Sequence, residues 1–292
     1  MKYYIKYVFI RCLIFLLSLI PFRLLYLISD CCSFAMQYGL RYRSVTVLNN
    51  IINAFPEKSI EEIKIITRKF YKYLCDTILE SLKGYSLGGK QLLKRYQFLN
   101  PDEANKYYEE GQDIIIALSH YCNWEWGTQI AESVYKHKLI FFYKPISNKY
   151  FERYILKLRT KRNTVLLSIQ DSEYILCPEE NKPKAYFIIN DQGPKSTKKA
   201  IWITSLNQNM DCIRDIEEYA KIFNLPVIYP EVQRVKRGYY TVEMHEICSN
   251  PSDTLSGEIT ERYMRKLETI IVKKPEDWLW SHQRWGLKSN NF

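Results

Sequence analysis

Apolar positions are spaced in two ways along this chain, and the change of spacing divides it. From Tyr3 to Ser29 nearly every residue is apolar or aromatic, with charge only at Lys6, Arg11 and Arg23. A clean membrane span takes about 20 apolar residues. This segment reaches that length as a span if its arginines snorkel to the interface, and it suits equally a helix lying in one leaflet and kinked at Pro21. No small-x-small cleavage site follows, so retention is expected over removal as a leader. Lys2, Lys6 and Arg11 precede the run and Arg23, Arg41 and Arg43 follow, which leaves the orientation unset. Residues 41–55 continue as helix up to the turn Phe55-Pro56-Glu57-Lys58-Ser59. Ser59 then opens a long amphipathic helix through about Lys83, with Glu62 as its capping-box partner and apolar residues at helical period from Ile60 to Leu82.

Beyond residue 113 the apolar runs become short and β-branched. Ile114–Leu118, Leu139–Tyr143, Ala185–Asn190 and Pro226–Pro230 read as buried strands, and Gly238–Val242 as the hairpin partner of the last. Helical stretches separate them, from Asn123 to about Val134, Asn148 to Arg162 and Ile216 to Phe223. The alternation predicts an α/β fold: a mixed, mainly parallel sheet flanked by helices, behind a helical N-terminal membrane-associating segment. The expected organisation is an anchor or interfacial helix at 1–30 and one domain at 31–292, helical over 31–110 and α/β over 111–292. Gly84-Tyr85-Ser86-Leu87-Gly88 matches the G-x-S-x-G elbow of serine hydrolases, but a helix precedes it where the elbow needs a strand. A helix end and loop are expected there, and Ser86 is not read as a nucleophile.

The first strand runs into Ser119-His120-Tyr121-Cys122-Asn123-Trp124-Glu125. Asn123 is placed to cap a helix, with Glu125 in its first turn where the dipole favours negative charge. Within one regular helix an i, i+5 pair points apart, but a histidine still in the preceding turn can meet the acid. A carboxylate on one imidazole nitrogen fixes the tautomer and raises the basicity of the other, so His120 and Glu125 are the candidate catalytic pair. Asp191-Gln192 ends another strand at the sheet edge where α/β ligands collect, a place from which Asp191 can orient substrate or position His120 or Arg159. Lys157, Arg159, Lys161 and Arg162 lie on one expected helix and read equally as a solvated face; a guanidinium there offers a fork suited to a phosphate or a developing oxyanion, and only the resemblance given below singles out Arg159.

These blocks, in this order, resemble the bacterial lipid A biosynthesis (lauroyl/myristoyl) acyltransferase family, whose signature is a histidine, four residues and an acid. The likeness covers roughly residues 45–286. It includes Asn50 through Ser59, Leu79-Glu80, Tyr143-Lys-Pro-Ile-Ser-Asn148 with Arg159, Asp191-Gln192, Arg234, and the closing run Trp278-Leu-Trp-Ser-His-Gln-Arg-Trp285. It departs at Ser205-Leu206-Asn207 and Cys212-Ile213-Arg214-Asp215, where the family has a Phe-Phe-Gly-like turn and Thr-Thr-x-Gly. The resemblance implies O-acyl transfer from an acyl thioester, normally on an acyl carrier protein, to a hydroxyl of a lipid A precursor. It also implies a place at the inner membrane with the catalytic domain facing the cytoplasm, and no cofactor or metal. The residues it implies around substrate are Asn123, Tyr143, Asn148, Arg159, Asp191, Gln192 and Arg234. A lysophospholipid or aminolipid acceptor, or a non-catalytic lipid-binding protein of the same fold, is also compatible with these residues.

Composition agrees with a lipid-facing protein. The 292 residues are 47% hydrophobic and carry a net charge of +10, which invites anionic partners such as a phospholipid surface or an acidic carrier. Lys195, Lys198 and Lys199, or Arg234, Lys236 and Arg237, are the basic patches expected to receive such a carrier. No nucleic-acid motif accompanies the charge, so nucleic acid is not an expected partner. The eight cysteines form no C-x-x-C pair or zinc spacing and read as free thiols.

Overall fold

A computed structural model describes residues 2–143, 145–159, 163–168, 182–193 and 201–285. Lys144, Lys161, Arg162, Cys177, Pro194, Lys195, Lys198 and Lys199 lie outside them. Four helices come first: α1 (Lys2–Leu19), α2 (Phe22–Phe34), α3 (Ser44–Ala54) and α4 (Ile60–Gly84). The break between α1 and α2 falls at Ile20-Pro21. The Ser59 capping box is present: its hydroxyl accepts from the Glu62 N–H while the Glu62 side chain accepts from the Ser59 N–H. None of the described helices is long and apolar enough to cross a membrane.

Short α5 (Gly89–Leu93), strand β1 (Tyr96–Phe98) and α6 (Asp102–Glu109) lead into the α/β part. There β2 (Ile114–Leu118), α7 (Trp124–Ile130), β3 (Lys138–Tyr143), α8 (Lys149–Arg159), β4 (Thr164–Ser168) and β5 (Lys184–Ile189) follow in turn. The chain continues with β6 (Ile201–Ser205), β7 (Gln208–Cys212), α9 (Asp215–Phe223), β8 (Val227–Lys236), β9 (Tyr239–Cys248) and α10 (Glu258–Lys273). The main sheet has the order β1-β9-β8-β2-β5-β3-β4, parallel except for the β8–β9 hairpin. β2 lies inside it, and Ile114, Ile115, Ile116 and Ala117 are wholly buried, as an uninterrupted apolar run demands.

Two differences from the expected pattern stand out. The helix after Asn123 is α-helical only to Ile130 and tightens to a 3-10 turn at Ala131–Ser133. The segment that departs from the family is a separate two-stranded antiparallel ribbon, β6–β7, turning through Leu206 and Asn207 at φ +50° and +59°. Positive φ at both central residues is the geometry of a tight hairpin turn. Among the described residues seven cysteines are free.

Candidate active site

Strand register builds the site. β2 and β5 are parallel neighbours with Leu118 opposite Ile189, so two residues further on His120 stands beside Asp191. The Asp191 carboxylate takes two donors from His120: Oδ1 lies 2.6 Å from His120 Nδ1 and Oδ2 2.9 Å from the His120 backbone N. The turn that delivers His120 needs a left-handed residue, Cys122 at φ +52°. It is pinned by the C-terminal segment: Cys122 N donates to Asp277 O, Leu279 N donates to His120 O, and Tyr121 bridges to Trp278.

That segment also holds Asp191. Trp278 Nε1 donates to Oδ2 at 2.9 Å, and the buried Arg284 donates to Oδ2 at 3.2 Å and to the Asp191 carbonyl at 2.6 Å. Burial alone would raise the Asp191 pKa, but the His120 imidazole, Arg284 and Trp278 outweigh it and hold the carboxyl well below its ordinary range. The acid therefore stays ionised, and the proton of the pair sits on Nδ1. Nε2 is left as the acceptor. Gln192 Nε2 approaches it at 3.3 Å, Trp124 packs edge-on against the ring at 5.1 Å, and the imidazole keeps 17% exposure, enough to be reached.

Glu125 does not take the orienting place expected for it. Its first-turn position on α7 aims it at α8, where Arg159 Nη2 donates to both carboxylate oxygens at 2.7 and 2.8 Å. Arg159 Nε also donates to the Tyr85 hydroxyl at 3.1 Å. Burial would lower the Arg159 pKa, but Glu125 and Tyr85 raise it, so this pair is a fixed ionic contact. The two motif residues thus act in adjoining places, His120 with Asp191 and Glu125 with Arg159.

Glu125 and Arg159 stand in the wall of a cavity of about 370 Å³, otherwise largely apolar, with Leu118, Trp124, Tyr143 and Phe187 among its lining. Sites for small organic ligands span about 300–1,000 Å³. Trp124 lines this cavity and also packs against the His120 ring, so a single indole links the two.

Three of the expected substrate residues lie elsewhere. Asn123 is fully buried: its Oδ1 accepts from Trp126 N as the α7 cap, and its Nδ2 donates to Glu80 Oε2 at 2.8 Å. Asn148 opens α8, its Oδ1 accepting from Tyr150 N. Arg234 is buried in an ion pair with Asp277 at 2.9 Å, lies 3.6 Å from Asp76, and stacks over the Tyr73 ring. Arg237 is likewise committed, to Asp30 and Asp76, so neither arginine is available to an acidic carrier. Sequence reasoning missed Trp278 and Arg284 as the supports of Asp191. The closing run was recognisable, but no local spacing reports contacts spanning 87 and 93 residues. No cluster of potential metal ligands occurs among the described residues.

The model of the family described as bacterial lipid A biosynthesis acyltransferase matches residues 1–286. No curated protein matches the chain significantly.

Proposed function

Because the chain belongs to the bacterial lipid A biosynthesis acyltransferase family, it is an acyltransferase, and we propose that His120 is its general base in direct acyl transfer to a lipid A precursor. The acceptor hydroxyl gives its proton to His120 Nε2 while its oxygen attacks the thioester carbonyl. The new ester C–O bond forms, the C–S bond breaks, and the proton passes from the imidazole to the departing thiolate. Asp191 keeps the ring in the required tautomer and stabilises the imidazolium while it lasts. Arg159, held by Glu125, lies in the cavity wall as the cation for the developing oxyanion or an acceptor phosphate. The cavity takes the acyl chain. An acyl carrier protein is the proposed donor, and the inner membrane, with the catalytic part facing the cytoplasm, the proposed place.

The 2.6 Å contact between His120 Nδ1 and Asp191 carries this reading. Transfer without a covalent enzyme intermediate is supported by the neighbouring side chains. Cys122 is buried, and burial pushes its thiol pKa well up, which suppresses the reactive thiolate. Ser119 Oγ is buried against the Tyr229 hydroxyl at 2.8 Å.

Mass spectrometry of lipid extracts tests the reading. A strain lacking the chain is expected to lose one secondary acyl group on lipid A, restored by the native chain and not by a folded His120→Ala variant. A change confined to glycerolipids, or full restoration by His120→Ala, overturns it.

A further inference from the structure

Residues 2–55 contain six basic side chains (Lys2, Lys6, Arg11, Arg23, Arg41 and Arg43) and one acid, Asp30. That acid is already engaged by Arg237 at 2.8 Å and Lys72 at 3.2 Å. On the same segment Phe9, Phe15, Leu16, Leu19, Leu27 and Phe34 are each more than half exposed. Exposed apolar side chains on a segment whose sequence carries six basic residues against one paired acid fit an anionic lipid leaflet.

The inner side of these helices is fastened at several points to α4 and α8. Near the start of α1, Tyr4 packs against Tyr150 and Tyr7 against Tyr154, both on α8, with centroids 5.7 and 5.8 Å apart. At its end, the buried Lys83 donates to the carbonyls of Leu17, Ser18 and Ile20 at 3.2, 3.0 and 2.6 Å. This places a cation on a helix C-terminus, where the dipole favours one. On α2, Tyr26 donates to Glu80 at 2.8 Å and Ser29 to Asp76 at 2.6 Å. A helix on its way across a bilayer leaves the body that carries it, whereas both ends of α1 return to one surface.

We propose that α1 and α2 form a monotopic foot, its apolar face sunk into a single anionic leaflet, with the N-terminus and the catalytic part on the same side of the membrane. The proposal deepens the membrane half of the function given above and rests on that half, not on the acyl chemistry. The foot also reaches the active site through one element, since α8 receives Tyr4 and Tyr7 and ends in Arg159. Its 11 residues span roughly 16 Å.

The test uses the full chain, tagged at either end, in sealed right-side-out and inverted inner-membrane vesicles exposed to protease. Both tags are expected to be cut in the same vesicle orientation; tags cut in opposite orientations overturn the proposal and leave membrane association standing. In parallel, the purified chain is sedimented with phosphatidylglycerol-containing or pure phosphatidylcholine vesicles. Binding is expected to be at least tenfold tighter to the former, and to fall at least tenfold when exposed Phe15 and Leu16 are both changed to Glu. Absence of vesicle binding, or a protein partner that occupies the apolar face and blocks it, also overturns the foot. The acyl chemistry is read separately through His120→Ala.

Discussion

Asp191→Asn separates the roles of the two carboxylates. Three donors converge on Oδ2: the His120 backbone N at 2.9 Å, Trp278 Nε1 at 2.9 Å and Arg284 Nη2 at 3.2 Å. An amide NH2 cannot face three donors, so the asparagine must turn its oxygen to them and its nitrogen to His120 Nδ1. Nδ1 then has to accept, the ring proton moves to Nε2, and the base is lost with the geometry nearly intact. The same tautomer error in a serine protease triad lowers turnover about 10⁴-fold, equivalent to about 5.4 kcal/mol of barrier at 1.36 kcal/mol per tenfold. Stripping every partner from a buried ion costs about 3–5 kcal/mol. Because the asparagine oxygen still accepts from Arg284, the loss of stability should be smaller than that. The assay is steady-state acyl transfer over a range of pH, alongside circular dichroism and thermal unfolding of the same preparation. A folded Asp191→Asn protein that keeps more than a tenth of native turnover, with an unaltered pH profile, refutes the assignment of Asp191 as the residue that positions His120.

Four further outcomes follow from other parts of the molecule. Arg159→Lys cannot reproduce contacts to Glu125 and Tyr85 from one fork, so kcat/KM should drop about tenfold or more, the loss expected when charge-assisted hydrogen bonds go. Glu125→Gln should lower the rate while leaving the pH limb of the base in place; displacement of that limb would return Glu125 to His120. His137 is buried, and burial lowers its pKa from 6.5 to about 4, so the unfolded chain binds more protons between those values. Its contribution is complete above about pH 6.5 and is lost as pH falls towards 4. Denaturant unfolding should show this as up to roughly 3 kcal/mol, at 1.36 kcal/mol per pKa unit, and His137→Gln should flatten that part of the curve. Gly84 lies where a Cβ would come within 2.7 Å of Trp126 Nε1, so Gly84→Ala should force α4 and α7 apart and cost about 1–3 kcal/mol in thermal unfolding.

Where chemistry depends on neighbours along the chain, the sequence was legible. The β-branched run at 114–118 is β2, Ser59 and Glu62 form their capping box, and Asn123 caps α7. The helix expected before Gly84–Gly88, where a nucleophile elbow needs a strand, is α4 running to Gly84, in keeping with setting Ser86 aside as a nucleophile. Where partners are distant in sequence, the reading stopped short. The His120–Glu125 spacing permits a meeting, yet Glu125 turns to Arg159, because the position beside the imidazole is filled from the next strand. Which strand is next depends on sheet order, and no local pattern fixes that. Arg234 shows the opposite failure. A basic residue in a family block reads as a ligand contact, but at 6% side-chain exposure it serves as the counter-ion of Asp277, its guanidinium lying over the Tyr73 ring.

The clasp that Trp278 and Arg284 place on Asp191 ties the imidazole to a segment that follows every strand of the sheet and helix α10 in sequence. During translation the sheet, the cavity lining and helices α1 and α2 all precede it. Until Arg284 has emerged and docked, the Asp191 carboxylate lacks two of the donors that hold it beside His120. With His120 as the proposed base, transfer waits on that docking: a chain ended at Asp277 should bind vesicles as the native one does while transferring nothing.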